Sequence, residues 1–178
     1  MIFRLTQKLG KKIGVLPTTC LPVASNPFID WTANLFTVQR AQYIIVTNTQ
    51  SLYSVVMFGR GITDDNQFLK RALSSMRELM ADDGNEFLYQ RLIAPHTGRL
   101  SFAKTGDKRV LGSINELIFQ ATCHLETGEE SPFGVSRRLN DTPMSYIDHR
   151  RPRDAFQLMK VTEEPVSGDC ASSDESSH

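Results

Sequence analysis

The sequence predicts an α+β fold, a single domain with a mostly antiparallel sheet and helices packed on it. Three observations predict it. Runs rich in β-branched and aromatic residues, "WTANLFTVQR" (31–40), "YIIVTN" (43–48) and "LYSVVMF" (52–58), follow one another at short intervals. Beyond them the apolar spacing lengthens to the helical period, in Phe68, Leu69, Ala72, Leu73, Met76, Leu79 and Met80, then in Ile114, Leu117, Ile118, Ala121 and Leu125. Finally, 178 residues are enough for one sizeable core and too few for two comfortable ones.

Taken in order, "MIFRL" reads as a short first strand and "TQKLGKKIG" as a helix of one or two turns, with Thr6 as N-cap and Gly14 as its end. Residues 15–30 carry Pro17, Pro22 and Pro27 and form a loop. The three runs then make an antiparallel meander, with Ala41-Gln42 as the first turn and "TNTQS" as the second. The middle and last strands are apolar nearly throughout, which argues for burial on both faces. Acidic or capping residues at 63–65 open the long helix, a shorter helix covers 85–93 up to Pro95, and "RLSFAKT" (99–105) is another strand. Ser113 and Glu116 fit a capping box that opens the helix bearing Ile114 to Leu125. Ser131-Pro132 is an N-cap and first helical position for a helix through Leu139, Asn140–Pro143 is a turn, and Pro152 starts a last helix to about Lys160. Residues 1–160 thus form the domain, and 161–178, small, polar and acidic, read as a disordered tail.

The zero net charge conceals an asymmetry. The tail holds Glu163, Glu164, Asp169, Asp174 and Glu175 and no Lys or Arg, which leaves 20 basic and 15 acidic side chains in the first 160 residues. A modestly basic body is compatible with an anionic partner. The start of the chain lacks the apolar stretch and cleavage site of a secretory signal, and no run is long enough to span a membrane. Cys20, Cys123 and Cys170 are odd in number and far apart, which points to a reducing compartment, with Cys123 packed as a small apolar residue. A cytoplasmic protein without a membrane role is expected.

"KTGDKRVLGSINEL" (104–117) invites comparison with a phosphate-binding loop, G-x-x-x-x-G-K-[ST]. Five residues separate Gly106 from Gly112, and Ser113 follows with no lysine, so that motif fails. Two readings stay open: a turn and helix cap, or an anion site at a helix N-terminus with Lys104, Lys108 and Arg109 nearby. A second basic stretch, "SRRLNDTPMSYIDHRRPR", holds Arg137, Arg138, Arg150, Arg151 and Arg153, but Asp141, Asp148 and Asp154 are spaced to pair with them. His96, His124, His149 and His178 share no ligand spacing, and neighbouring Cys123 and His124 point about 100° apart on a helix, so no metal or other cofactor is expected. Asn34, Thr47, Asn48 and Ser54 lie within the sheet. Either they line a pocket, or Thr47 and Asn48 shape a turn while Asn34 faces outward.

Five segments in this order, "TQKL", "DWTANL", "TN…LYSVV", "FAKT…RVLGSINEL" and "RRLNDTPMS", resemble a family of small bacterial proteins known only as a domain of unknown function. The resemblance spans roughly residues 1–155. It implies a bacterial, cytoplasmic, single-domain protein, and it carries no activity, cofactor or partner. Among the matching positions Gly112, Ser113 and Pro143 have structural reasons, whereas Lys104, Arg109, Asn115, Arg138 and Asn140 are harder to explain that way.

The leading expectation is a non-catalytic binding or regulatory module for an anionic ligand, either nucleic acid or a phosphorylated small molecule. Lys104, Arg109 and Arg138 would contact the anion, Asn115 and Asn140 would orient it, and the acidic tail would compete for the same surface. The alternative is a small enzyme acting on a polar substrate between the sheet and the 104–115 loop, with Asn34, Asn48 and Ser54 as pocket floor and Lys104 as acid, base or phosphate clamp. A protein–protein adaptor is the third reading.

Overall fold

The computed structural model describes residues 1–162. The elements run β1 (Ile2–Leu5), α1 (Gln7–Ile13), β2 (Asp30–Val38), β3 (Ala41–Asn48), β4 (Ser54–Phe58), α2 (Asp65–Asp82), α3 (Glu86–Leu88), β5 (Ser101–Lys104), α4 (Lys108–Glu126), α5 (Pro132–Asp141) and α6 (Pro152–Leu158). The strands form one sheet in the order β4-β3-β2-β1-β5. The meander β2-β3-β4 is antiparallel and makes the larger part, while β1 joins β2 and β5 in parallel. The connectivity permits that parallel pairing, since β1 reaches β2 only after α1 and the proline-rich loop.

Helices cover both faces. On one, α1, α2 and α6 bury Leu9, Phe68, Met76 and Phe156 against Phe3, Trp31 and Val46. On the other, α4 and α5 bury Ile114, Leu117, Ala121, Val135 and Leu139 against Phe36, Ile45 and Val56. The fold is therefore α+β, a sheet between two helical layers. Thr6 caps α1 as its sequence predicts, and Gly14 ends it in the left-handed conformation. Gly10 is required for a different reason: a Cβ there would lie 2.4 Å from the Val15 carbonyl oxygen. Gly10→Ala should therefore lower stability by about 1–3 kcal/mol, although alanine is the better helix former. A urea midpoint at or above wild type would show that the turn after α1 shifts freely.

Several boundaries differ from expectation. The first hairpin turns at Gln39-Arg40, both with positive φ, because Val38 pairs with Ala41 and Tyr43 then stacks on Phe36 with ring centres 5.6 Å apart. The segment after α2 is not one regular helix: α3 runs into a π-helical turn (Tyr89–Ile93), and Pro95 sits inside a 3-10 turn. The Ser113–Glu116 capping box does not form. Asp107 is the N-cap, accepting from the Arg109 and Val110 amides, so α4 begins one and a half turns earlier and Gly112 lies within it. Ser113 instead donates to the Arg109 carbonyl inside the helix. The turn predicted at 140–143 starts later, because Asn140 still belongs to α5 and is fully buried. Cys123 is exposed rather than packed, since the buried line of α4 passes through Ala121 and Leu125. From Glu163 onward the acidic tail lies outside the described residues.

Candidate ligand-binding cleft

Alternation along β2 sets the site. Asp30, Thr32, Asn34, Phe36 and Val38 point to the α4 side of the sheet. The first three are polar and the last two apolar, so α4 and α5 pack on only one end of this face. At the other end β1 places Arg4 level with Thr32.

Arg4 and Asp30 are 7% and 1% exposed. Arg4 Nε and Nη2 donate to the two carboxylate oxygens of Asp30, each at 2.8 Å, a bidentate pair. Nη1 and Nη2 also donate to the carbonyls of Leu21 and Pro22, at 2.8 and 3.0 Å. Asp30 accepts further bonds from the Ala24 amide and the Thr49 hydroxyl, and Thr49 lies 3.0 Å from the Thr32 hydroxyl. Burial alone would raise the Asp30 pKa. The bonds from Arg4, Ala24 and Thr49 outweigh it and hold the carboxyl below its ordinary value. The same hydrogen bond to Asp30 holds the guanidinium above its ordinary range.

This network floors a cleft of about 320 Å3. Its walls are Leu21, Pro22 and Val23 on one side and Val110, Leu111 and the Tyr146 ring on the other, with Thr105, Gly106 and Asp107 at the mouth. Burial, and then the Asp107 carboxylate, raise the Tyr146 phenol pKa, and Arg109 lies over its ring at 5.6 Å. The Cys20 thiol also lines the cleft. Among the described residues, no three His, Cys, Asp or Glu side chains gather as a metal site, and no helix is long and apolar enough to cross a membrane.

Residues 2–155 match the family model DUF6933, a domain of unknown function. The chain belongs to this family. No curated protein and no solved structure matches it. Every residue of the cleft floor falls within the span matched to DUF6933, and the acidic tail falls outside it.

The residues expected to share an anion are not gathered into this cleft. Arg109 reaches it through Tyr146, whereas Lys104, level with Leu5 in the β1–β5 pair, points to the opposite face of the sheet. Arg138 lies on α5, ion-paired with Glu130, and Asn115 stands on the exposed face of α4. Asn140 is committed to the backbone of Ser54, accepting from its amide at 2.8 Å and donating to its carbonyl at 2.9 Å. Of the alternative pocket residues, Asn34 accepts from Thr6, Asn48 shapes its turn by accepting from Gln50 and Ser51, and Ser54 bonds Thr47. None of the three lines the cleft. Arg4, Asp30, Thr32 and Thr49 were the residues that sequence reasoning missed. The signal was an arginine inside a short apolar strand, together with the every-second-residue run Asp30, Thr32, Asn34.

Proposed function

We propose that the protein is a non-catalytic binding module for a small molecule held in this cleft, with an apolar body against Leu21, Val110 and Leu111 and a polar end on the Arg4–Thr49 floor. The observation that carries this reading is a buried, hydrogen-bonded ion pair under otherwise apolar walls. Desolvating two charges is expensive, and an apolar pair would pack the same space. The volume lies at the small end of ligand pockets, which run roughly from 300 to 1,000 Å3. Arg109, over the Tyr146 ring, favours a ligand with an anionic group, the class expected from the basic body of the chain. Binding is preferred to catalysis because both carboxylate oxygens of Asp30 already accept hydrogen bonds and Arg4 is held in place.

Amide NMR with a fragment set of small carboxylates, phosphates and neutral heterocycles tests this. Shifts should concentrate at 20–23, 105–111 and 146, and Leu111→Trp, which fills the cleft from its wall, should abolish them while the protein stays folded. If no fragment perturbs these amides, or Leu111→Trp leaves the response intact, the cleft is not the binding site.

A further inference from the structure

The outer face of α4 carries features that nothing among the described residues explains. Gly112 lies in the body of the helix without positive φ, and a Cβ there would meet nothing within 4 Å. Glycine at such a position costs about 1 kcal/mol relative to alanine, so neither conformation nor internal packing calls for it. Two turns on, Phe119 is 70% exposed. At 100° per residue the two share one line, opposite Ile114, Leu117 and Ala121, which face the core. Lys108 and Glu126 stand at the two ends of the helix, five full turns apart and hence on the same flank of that line. Neither is ion-paired among the described residues.

We propose that this face is a homodimer interface, in which two copies pack α4 against α4, antiparallel, about a two-fold axis passing between Asn115 and Glu116. This arrangement seats Phe119 of each copy in the notch over Gly112 of the other. It also brings Lys108 within reach of the partner's Glu126, and the reverse, so the face is complementary to itself as an isologous contact requires. A parallel arrangement would instead set Lys108 on Lys108 and leave both notches empty. Near the axis the two Asn115 amides meet on the lysine flank, where they can bond each other. On the opposite flank the two Glu116 carboxylates face one another, a like-charge contact that weakens the dimer. One helix pair buries less than the roughly 800 Å2 per partner of a standard stable interface, so the association is reversible.

Sedimentation equilibrium of the full chain over a wide concentration range is the test. Wild type should show a reversible monomer–dimer equilibrium. Gly112→Leu fills the notch while keeping open space around its own Cβ and raising helix propensity, so it should fold normally and weaken the dimer at least about tenfold. Lys108→Glu should also weaken it, and Lys108→Glu combined with Glu126→Lys should restore it. Glu116→Gln should tighten it. A wild type that stays monomeric throughout, or a dimer that Gly112→Leu leaves unchanged, would overturn the proposal.

Discussion

Asp30→Ala is expected to lower stability by about 3–5 kcal/mol, because it leaves the Arg4 guanidinium buried without its counter-charge. Arg4 would keep the Leu21 and Pro22 carbonyls, which compensate only part of a full charge. The Ala24 amide and Thr49 hydroxyl would lose their acceptor as well. Arg4→Met alone should be comparably damaging, since it strands the carboxylate. The Arg4→Met/Asp30→Leu double variant should recover much of the loss, because an apolar pair needs no desolvation. Urea unfolding of wild type, Arg4→Met, Asp30→Leu and the double variant closes the cycle and measures the coupling, and additive losses would mean that the pair is not energetically joined.

The pH dependence follows from the same pair. The carboxyl of Asp30 is held below its ordinary value in the folded state. Its contribution is therefore fully present above the unfolded value of about 4 and is lost as pH falls through the lower folded value. Wild-type stability should decline in acid below about pH 4. Asp30→Asn should be less stable at neutral pH and should show a flatter acid limb. An acid limb as steep as wild type would assign the decline to other carboxylates.

Asn140→Ala carries the second large effect, about 2–4 kcal/mol. β4 is an edge strand, and its outward backbone groups would otherwise be unpaired. Helix α5 supplies what a further strand would. Asn140 pairs both the amide and the carbonyl of Ser54, and Ser136, one turn earlier, accepts from the Val56 amide at 2.7 Å. The i, i+4 spacing of Ser136 and Asn140 on the helix thus meets the two-residue spacing of Ser54 and Val56 on the strand. Removing the amide side chain orphans two buried backbone groups at once. Hydrogen exchange discriminates the cause: in Asn140→Ala the Ser54 amide should lose more protection than Val56, which keeps Ser136. Equal loss at both would indicate that α5 has detached as a whole.

Arg138 and Asn140 show how a sequence misleads. Both sit in "RRLNDTPMS", where the sequence ends a helix at Leu139 and begins a turn at Asn140. In the fold they point apart, Arg138 outward to Glu130 and Asn140 inward to the strand edge. Two residues along a helix turn the side chain by about 200°, so a shared ligand was never geometrically available to the pair. Ser113 and Glu116 mislead differently. A capping box is local, but Asp107 is a competent cap at the point where Val110 must already enter the core, and burial decided between them.

The sequence by itself determined the fold class, the meander, the stripes of α2 and α4, the caps at Thr6 and Ser131, and the order of the elements. These depend on period and on neighbours within a few positions, which the linear chain carries directly. Tertiary structure alone decided that β1 lies parallel between β2 and β5, and that Arg4 therefore meets Asp30 across 26 residues. It also decided that Asn140 finds Ser54 across 86. Contacts of that length answer to the competition for one interior, where a buried polar group must find its partner wherever the chain has placed it.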